Sequence, residues 1–397
     1  MVPIKVVHII TGLSLGGAEM MLYKLLGAAQ RGRFDPLVVS LRDKGTLGDP
    51  IRELGVPVVA LGMGGLSAPQ ALWRLRRVMR AFQPHMVQGW MYHGNLAATL
   101  GAKMVPRTTP VLWSIRQCLY DIRDEKWMTA QVIRLGARLS SGPAALVYNS
   151  RVSAATHREA GYHPRQEIII PNGFDTTLFK PSPAARQAIR RELGLSESTG
   201  LIGLIARYHP VKDHAAFLEA ARLFVREHEG KITESNRGSP DLNGHSPVHF
   251  LMAGSGVNQD NQELQRLIES KGLSDKISLL GQRRDIPDLT AALDIAVSSS
   301  VSEAFSNTVG EAMACGVPVT ATHVGDSPDV IGDTGKTVPP RQPEMMAAAW
   351  DSLWRLGAEG RAALGAKARL RVENQYSLTA AALEYQRLYE AVYASRG

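Results

Sequence analysis

Two glutamates, Glu303 and Glu311, lie eight positions apart in the segment SEAFSNTVGEAMACG, which runs from Ser302 to Gly316. Two carboxylates at this spacing can act as a general acid and base, as two ligands of one small molecule, or as separate solvated charges. The segment follows the apolar run DIAVSSS, so it starts at the carboxyl end of a predicted strand. The secondary structure predicted around the two glutamates helps to distinguish these alternatives.

A helix is predicted directly after Glu303. Ser306 and Asn307 are favourable N-cap residues, Thr308 to Cys315 can be helical, and Gly316 suits the position after the last turn. The helix N-terminus attracts anions because its first amides point outward. The amides in question are those of Asn307, Thr308 and Val309. The two glutamates would flank a bound anion, and each could accept hydrogen bonds from the neighbouring hydroxyls of a sugar.

Cations and glycines follow three other predicted strands of the C-terminal half. Arg207 and Lys212 follow LIGLIA, Gln282 and Arg283 follow KISLLG, and a glycine loop, Gly254 to Gly256, follows VHFLMA. Two cations five residues apart suit a diphosphate, whose charge is spread over several oxygens. Solvated surface charge is the alternative. An acid and base pair of the glycosidase kind would leave both cations unexplained.

The N-terminal half has its own glycine turn. Gly16 and Gly17 follow the apolar run from Ile4 to Gly12, where missing side chains let backbone amides approach an anion. The turn lacks both the GxGxxG and the GxxxxGK[ST] pattern, which disfavours a dinucleotide site or a P-loop. These residues are therefore either an anion-binding loop or plain turn glycines.

The alternation of short apolar runs with helical segments predicts an α/β protein with two doubly wound domains facing each other across a cleft. We expect an N-terminal domain over residues 1–178, a C-terminal domain over 179–378, and a Pro-rich linker around 171–183. The final helix, within 379–397, is expected to pack back on the N-terminal domain. The polar segment from Glu229 to Pro247 is interpreted as an inserted exposed loop.

Composition narrows the classes of protein. The chain has 397 residues, 44% hydrophobic and 21% charged, which are globular values. It shows neither a signal peptide nor an apolar run of about 20 residues, so a cytoplasmic location is expected. The two cysteines, Cys118 and Cys315, fit a reducing compartment and exclude a cysteine-based zinc site.

The net charge of +8 is concentrated in the N-terminal half, where residues 1–178 contain 21 Lys and Arg against 11 Asp and Glu. Such an excess of basic residues indicates binding to nucleic acid or to anionic lipid. The alternative is that the excess has no function. The segment ALWRLRRVMRAF, from Ala71 to Phe82, reads as a basic amphipathic helix, suited to an anionic membrane surface or to an ordinary domain surface. The membrane alternative favours a partner carried on a membrane lipid. Trp113 and Arg116, at another strand end, are candidates for binding that partner.

These motifs together resemble the retaining glycosyltransferases of family 4, which have the GT-B fold. The resemblance rests on GGAE, ARYHPVKD, IPNGFDTTLFKP, EAMACGVPVTAT and the spacing of the two glutamates, over nearly the whole chain. It implies that Glu311 holds the nucleotide ribose, that Glu303 contacts the transferred sugar, and that Arg207 and Lys212 bind the donor diphosphate. Gly16 and Gly17 match the loop that approaches the same phosphates, and His93 matches a histidine close to the donor sugar.

The implied activity is transfer of a hexose or N-acetylhexosamine from a nucleotide sugar, with UDP favoured and the anomeric configuration retained. The acceptor would be a glycan or polyprenyl-linked glycan in bacterial surface polysaccharide synthesis, such as lipopolysaccharide or capsule. Neither a metal nor another cofactor is expected, and the enzyme would be cytoplasmic, either free or peripheral on the membrane.

Two rival classes remain. A sugar-nucleotide epimerase of the same fold would isomerise its donor without an acceptor. A nucleotide or nucleic-acid binder would account for the basic half, although the chain lacks a recognised nucleic-acid motif. We therefore expect no nucleic-acid partner.

Overall fold

The computed structural model describes residues 2–30, 32–64, 68–106, 108–229 and 247–395. The chain divides into two compact units, Met1–Gly173 with Leu378–Gly397 (unit 1) and Phe174–Ser377 (unit 2). The division falls at Gly173 rather than after Leu178, because Phe174 already packs in the core of unit 2. Most of the loop predicted from Glu229 to Pro247 lies outside the described residues.

Unit 1 contains, within the described ranges, a seven-stranded parallel sheet in the order β3-β2-β1-β4-β5-β6-β7. Each strand is a short run of mainly apolar residues, which suits a sheet covered on both faces. Its strands are β1 (Ile4–Ile10), β2 (Phe34–Ser40), β3 (Val58–Ala60), β4 (Met86–Trp90), β5 (Val111–Ile115), β6 (Ala145–Tyr148) and β7 (Glu167–Ile169).

Helices cover both faces of this sheet. Right-handed crossovers place α1 and α2 on one face and α3 to α6 on the other, and α15 packs beside α1. The helices are α1 (Gly17–Ala28), α2 (Gly48–Glu53), α3 (Ala68–Phe82), α4 (Met91–Ala102), α5 (Trp127–Leu139), α6 (Arg151–Glu159) and α15 (Leu378–Ala394).

The C-terminal helix α15 completes the core of unit 1. Tyr385 and Tyr389 are buried against β1 and β4, and the Tyr389 hydroxyl donates to the Gln88 side chain. Arg33 pairs with Glu390 at 2.7 Å. The last helix thus belongs to the first unit although it follows the second in sequence.

Unit 2 contains, over the residues that the structure describes, a six-stranded parallel sheet in the order β10-β9-β8-β11-β12-β13. Its strands are β8 (Gly200–Ile205), β9 (Val248–Ala253), β10 (Ile277–Leu279), β11 (Ile295–Ser298), β12 (Val319–Thr322) and β13 (Gly335–Val338). Its helices are α7 (Pro183–Glu192), α8 (His214–Glu229), α9 (Gln262–Ser270), α10 (Ile286–Ala291), α11 (Asn307–Ala314), α12 (Ser327–Ile331), α13 (Pro343–Trp354) and α14 (Gly357–Gln375). The predicted α/β class and the two doubly wound sheets are confirmed.

Two clusters form the core of unit 2. On one face Trp350 of α13 packs against Phe217 and Phe224 of α8. On the other, Phe174 stacks on Phe305 with ring centroids 5.9 Å apart, and it lies where a side chain on Gly310 of α11 would be. In the described part of the chain, no helix is long and apolar enough to cross a bilayer.

Candidate functional site

The strand order of unit 2 reverses between β8 and β11, and this is where a doubly wound sheet opens a crevice at the carboxyl ends of its strands. Arg207 and Lys212 follow β8, whereas Glu303 and helix α11 follow β11. The predicted cations and glutamates therefore flank one switch point.

Lys212 and Glu303 meet across this switch point. The Lys212 ammonium pairs with Oε1 of Glu303, and the Ser300 hydroxyl donates to the same oxygen at 2.9 Å. Their side chains are 24% and 16% exposed, so water screens the pair only in part. The contact joins Lys212, the cation predicted to bind the diphosphate, to Glu303, the carboxylate predicted to bind the sugar.

Backbone contacts hold Lys212 in place. A short 3₁₀ turn, Pro210–Lys212, ends at Asp213, whose φ of 46° is left-handed. The Asp213 carboxylate then accepts from the Ala216 amide at 3.1 Å and caps α8. Ser299 donates to the Lys212 carbonyl at 2.7 Å, so the loop after β11 also anchors this turn.

Arg207 is exposed and forms no ion pair with any residue that the structure describes. Its backbone is positioned by the glycine loop after β9, where the Tyr208 amide donates to the Ser255 carbonyl at 2.7 Å. Gly254 has a φ of 148°, and a Cβ there would clash with the Ala206 carbonyl. The backbone at Arg207 is therefore held by the loop after β9, and the exposed guanidinium can bind an anion.

Sequence reasoning missed the residues that hold Glu303. Thr322 donates to the Ser300 carbonyl at 2.5 Å, and the Asp326 amide donates to the Ala304 carbonyl at 3.2 Å. Gly325, with a φ of 54°, lies against the carbonyls of residues 303 and 304, where a Cβ would clash. In the sequence, the serine run 298–300 and Gly325 after β12 were the features that could have indicated these contacts.

Helix α11 starts at Asn307 with Ser306 as N-cap residue, and the Ser306 side chain caps none of its amides. Gly316 follows the helix with a φ of 71°, which confirms the predicted glycine at this position. Glu311 lies one turn inside and, together with Thr308 and Thr290, lines a small cavity between α10, α11 and the ends of β8 and β11. The amides of Asn307, Thr308 and Val309 form the first turn beside it.

Gln282 and Arg283 follow β10 as predicted, but the Arg283 side chain is engaged elsewhere. Its guanidinium contacts Glu192 at 2.5 Å and Asp285 at 2.7 Å, and these carboxylates raise its pKa well above the usual value. Gln282 is exposed. Arg283 thus ties the loop after β10 to α7 instead of presenting an uncompensated charge to a ligand.

In unit 1 the corresponding switch point lies between β1 and β4. Gly16 and Gly17 follow β1, with Gly16 as the N-cap residue of α1. The Glu19 carboxylate folds back so closely that a Cβ on Gly16 would clash with it, and burial raises the pKa of Glu19. A carboxylate thus already lies beside the amides that were predicted to approach phosphates.

His93 lies in the first turn of α4, on the other side of this switch point. Met91 starts the helix at a φ of 62°, which is strained for a residue with a side chain. Gly94 packs so closely on β1 that a Cβ would meet the Ile9 carbonyl. Half-burial lowers the pKa of His93 below its usual value, so the imidazole is neutral at pH 7.

Trp113 and Arg116 are not at an open surface, which corrects the prediction that they line an acceptor site. Trp113 is 1% exposed and donates to Thr99 at 3.0 Å. Arg116 is 8% exposed, and its guanidinium donates to the Asn172 and Tyr385 side chains at 2.6 and 2.7 Å. Both side chains serve the interior of unit 1.

Among the described residues, no three His, Cys, Asp or Glu side chains come together as metal ligands would. Burial raises the pKa of the Cys315 thiol to about 12, with a smaller contribution from Glu311. This thiol is therefore unreactive at neutral pH.

Two sequence models of protein families match the two halves of the chain. The model described as Glycosyltransferase Family 4 matches residues 15–178, and that described as Glycosyl transferases group 1 matches residues 199–355. Together they include every position of the candidate site.

Similar proteins include a D-inositol 3-phosphate glycosyltransferase of Geodermatophilus obscurus, 30% identical over 194 residues. The lipopolysaccharide core biosynthesis mannosyltransferase LpsB of Rhizobium meliloti is 32% identical over 176 residues. These alignments include 48% and 44% of this chain and span only 40% and 45% of the relatives' own lengths.

Among solved structures, HepE of Anabaena in complex with UDP superimposes with a TM-score of 0.81. The match covers 98% of this chain and 100% of HepE at 20% sequence identity. At this identity the likeness establishes a shared fold.

Proposed function

This chain belongs to glycosyltransferase family 4, and from that membership we propose that it transfers a hexose or N-acetylhexosamine from a UDP-sugar to a glycan or polyprenyl-linked acceptor, with retention of configuration. The observation that carries the proposal is the Lys212–Glu303 ion pair at the switch point of unit 2. A cation for phosphate and a carboxylate for sugar hydroxyls lie in direct contact there, as a diphosphate-linked sugar requires.

Each group has a place in the proposed donor site. Arg207 and Lys212 would neutralise the diphosphate, the α11 amides would add the field of a helix N-terminus, and Glu311 would accept from the ribose hydroxyls. Glu303, held by Lys212 and Ser300, would accept from hydroxyls of the transferred sugar. UDP is favoured because the similar structure HepE was determined with UDP.

The proposed reaction is a same-face substitution. The bond between the anomeric carbon and the phosphate oxygen breaks, the acceptor oxygen bonds to that carbon from the same side, and the departing phosphate takes the acceptor proton. The protein contributes positioning and charge stabilisation, and neither a metal nor a covalent intermediate is invoked. His93 is proposed to donate a hydrogen bond to a sugar or acceptor hydroxyl, for which its neutral ring is suited.

A panel of nucleotide sugars tests the donor site directly. We expect UDP-sugars to raise the thermal midpoint by a few degrees, since about 100-fold excess over Kd contributes about 2.7 kcal/mol. Arg207→Ala should abolish that shift and lower turnover by two to three orders of magnitude, on the order of what a lost transition-state contact costs.

Arg226→Ala is the matched control, because Arg226 is exposed on α8 of the same unit. An unchanged shift and near-normal turnover in Arg207→Ala would reject the assignment. Isomerised donor formed without an acceptor would identify an epimerase, and the anomeric configuration of the product, read by NMR, tests retention.

A further inference from the structure

Three neighbouring helices of unit 1 contain no acidic residue. Helices α3, α4 and α5 lie side by side on one face of the sheet, with α4 packed against both of the others. Their sequences include neither Asp nor Glu. The outward surface of these helices is called the α3–α5 face below.

Four exposed arginines of this face lack a carboxylate partner among the residues that the structure describes. On other surfaces Arg33, Arg52 and Arg387 pair with carboxylates. Arg76, Arg77, Arg134 and Arg138 are exposed and form no ion pair with any residue in the described part of the chain. In the loop before α5, Asp121 and Glu125 bond to Arg123 and Gln117, and Asp124 is exposed beside them. The face is therefore a concentrated positive surface.

The outer side of α5 is also apolar. Met128, Leu135 and Leu139 are 64%, 45% and 42% exposed, and at 3.6 residues per turn they fall within about 40° of one another. Trp127, 70% exposed, lies on the adjoining strip with Arg134 and Arg138, within about 20° of both. Water thus contacts a helix surface that is half apolar and half basic.

Helix α3 repeats this combination. Trp73 and Leu72 are 61% and 42% exposed, and the Arg77 guanidinium lies 5.7 Å from the Trp73 ring centre. Trp73 and Trp127 both belong to the first two turns of their helices. In a parallel sheet these turns lie at the edge where the strands end, which is also the edge that presents His93.

We propose that the α3–α5 face docks on an anionic lipid bilayer, with Trp73 and Trp127 at the boundary between headgroups and acyl chains. The arginines would meet lipid phosphates, and Met128, Leu135 and Leu139 would enter the acyl region. Nucleic acid, the other polyanion, would leave these three apolar side chains in water. The sequence indicated α3 alone, whereas the structure adds α5 as the more apolar element.

The proposal goes beyond the donor site, because it concerns a surface of unit 1 and needs no nucleotide sugar. It has one consequence for transfer: the edge that presents His93 would lie near the membrane. An acceptor carried on a lipid would then reach that edge without leaving the bilayer.

Sedimentation with vesicles tests the docking. We expect the full chain to bind vesicles of equal parts phosphatidylglycerol and phosphatidylcholine, weakly at high salt, and to ignore pure phosphatidylcholine. Arg134→Gln with Arg138→Gln should weaken partition on the order of thirtyfold, from about 1 kcal/mol for each basic residue. Leu135→Gln should weaken it about fivefold, as loss of an inserted side chain.

The controls change the same chemistry on the opposite face of unit 1. Arg52→Gln with Arg387→Gln removes two charges from α2 and α15, and Leu383→Gln changes a leucine of α15 that is 39% exposed. Both controls should bind like the wild type. If they lose as much binding as the α5 variants, or if the α5 variants bind normally, the proposed face is wrong.

Quenching by brominated lipids tests the orientation. Four of the six tryptophans, Trp90, Trp113, Trp350 and Trp354, are at most 5% exposed, so only Trp73 and Trp127 can contact acyl chains. We expect quenching in the wild type and its loss in Trp73→Phe with Trp127→Phe. Equal quenching in that variant, or binding to duplex DNA at physiological salt in place of vesicles, would overturn the proposal. Failure of the donor assay alone would reject the glycosyltransferase function and leave this docking test unaffected.

Discussion

At the scale of single residues, Glu303 is positioned before any ligand arrives. Lys212 and Ser300 both contact Oε1 of its carboxylate. An acceptor held by two donors needs little reorganisation when the substrate binds. The Ser300 hydroxyl is not proposed to contact the donor. It therefore positions the Glu303 carboxylate.

We predict that Ser300→Ala lowers kcat/KM for transfer on the order of tenfold, because a hydrogen bond to a charged group contributes about 1.5–3 kcal/mol. Binding of UDP alone, measured by calorimetry, should stay unchanged, since UDP has no hexose for Glu303 to contact. Ser352→Ala is the control, since the Ser352 hydroxyl donates to the Ala349 carbonyl of its own helix α13. An equal loss of UDP affinity would show that Ser300 supports the diphosphate instead.

The sequence could predict which residues follow strands, but not which way their side chains turn. Arg116 follows β5 and is nevertheless interior, whereas Trp113 lies within that strand. Arg283 is held by Glu192, 91 positions away in the chain. Such partners depend on tertiary packing, for which one sequence contains no local signal.

At the scale of elements, close-approach glycines position the loops that meet at the switch point of unit 2. The central strands of both sheets, such as β1 and β8, correspond to apolar runs recognisable in the sequence, because buried parallel strands are continuously hydrophobic. Helix α11 and Gly316 were also recognisable, because a glycine commonly follows the last turn of a helix. The contact of Gly254 with the chain before Arg207 was not, because it joins loops after two different strands.

We predict that Gly254→Ala destabilises unit 2 by about 3 kcal/mol, since it combines a steric clash with backbone strain. It should also weaken binding of UDP-sugars, because relief of the clash moves Arg207. Gly272→Ala is the matched control: its φ of 65° is also left-handed, but nothing lies within 4 Å of the added Cβ. That variant should lose only about 1 kcal/mol in urea unfolding. Equal losses from both would show that backbone strain alone, without the clash, accounts for the effect.

At the scale of the whole molecule, buried histidines make both units sensitive to acid. Burial lowers the pKa of His8 to about 3 and that of His157 to about 4, and both belong to unit 1. In unit 2, burial lowers the pKa of His214 to about 4 and also lowers that of His249. A histidine with a depressed pKa contributes stability above its unfolded value near 6.5, and the contribution is lost as the pH falls towards the folded value.

We therefore predict that the free energy of unfolding of unit 1 falls by up to about 2.7 kcal/mol per pH unit below pH 6.5, from two protons taken up on unfolding. Unit 2, with His214 and His249, should also lose stability over this range. Hydrogen exchange of the two sheets at pH 7, 6 and 5 measures both. His157→Gln should reduce the slope of unit 1, whereas His163→Gln, at an exposed position, should leave it unchanged. A flat profile between pH 7 and 5 would contradict the prediction.

The contact of Gly325 with the carbonyls of residues 303 and 304 bears on how donor preference could be re-engineered. The loop that presents Glu303 and the loop after β12 fit each other without a side chain between them. In a chimera that takes residues 302–306 from a relative, the carbonyls of residues 303 and 304 would shift, while Gly325 against them would stay unchanged. Grafts that carry residues 323–326 from the same relative should fold better, so these two loops are best exchanged as one cassette.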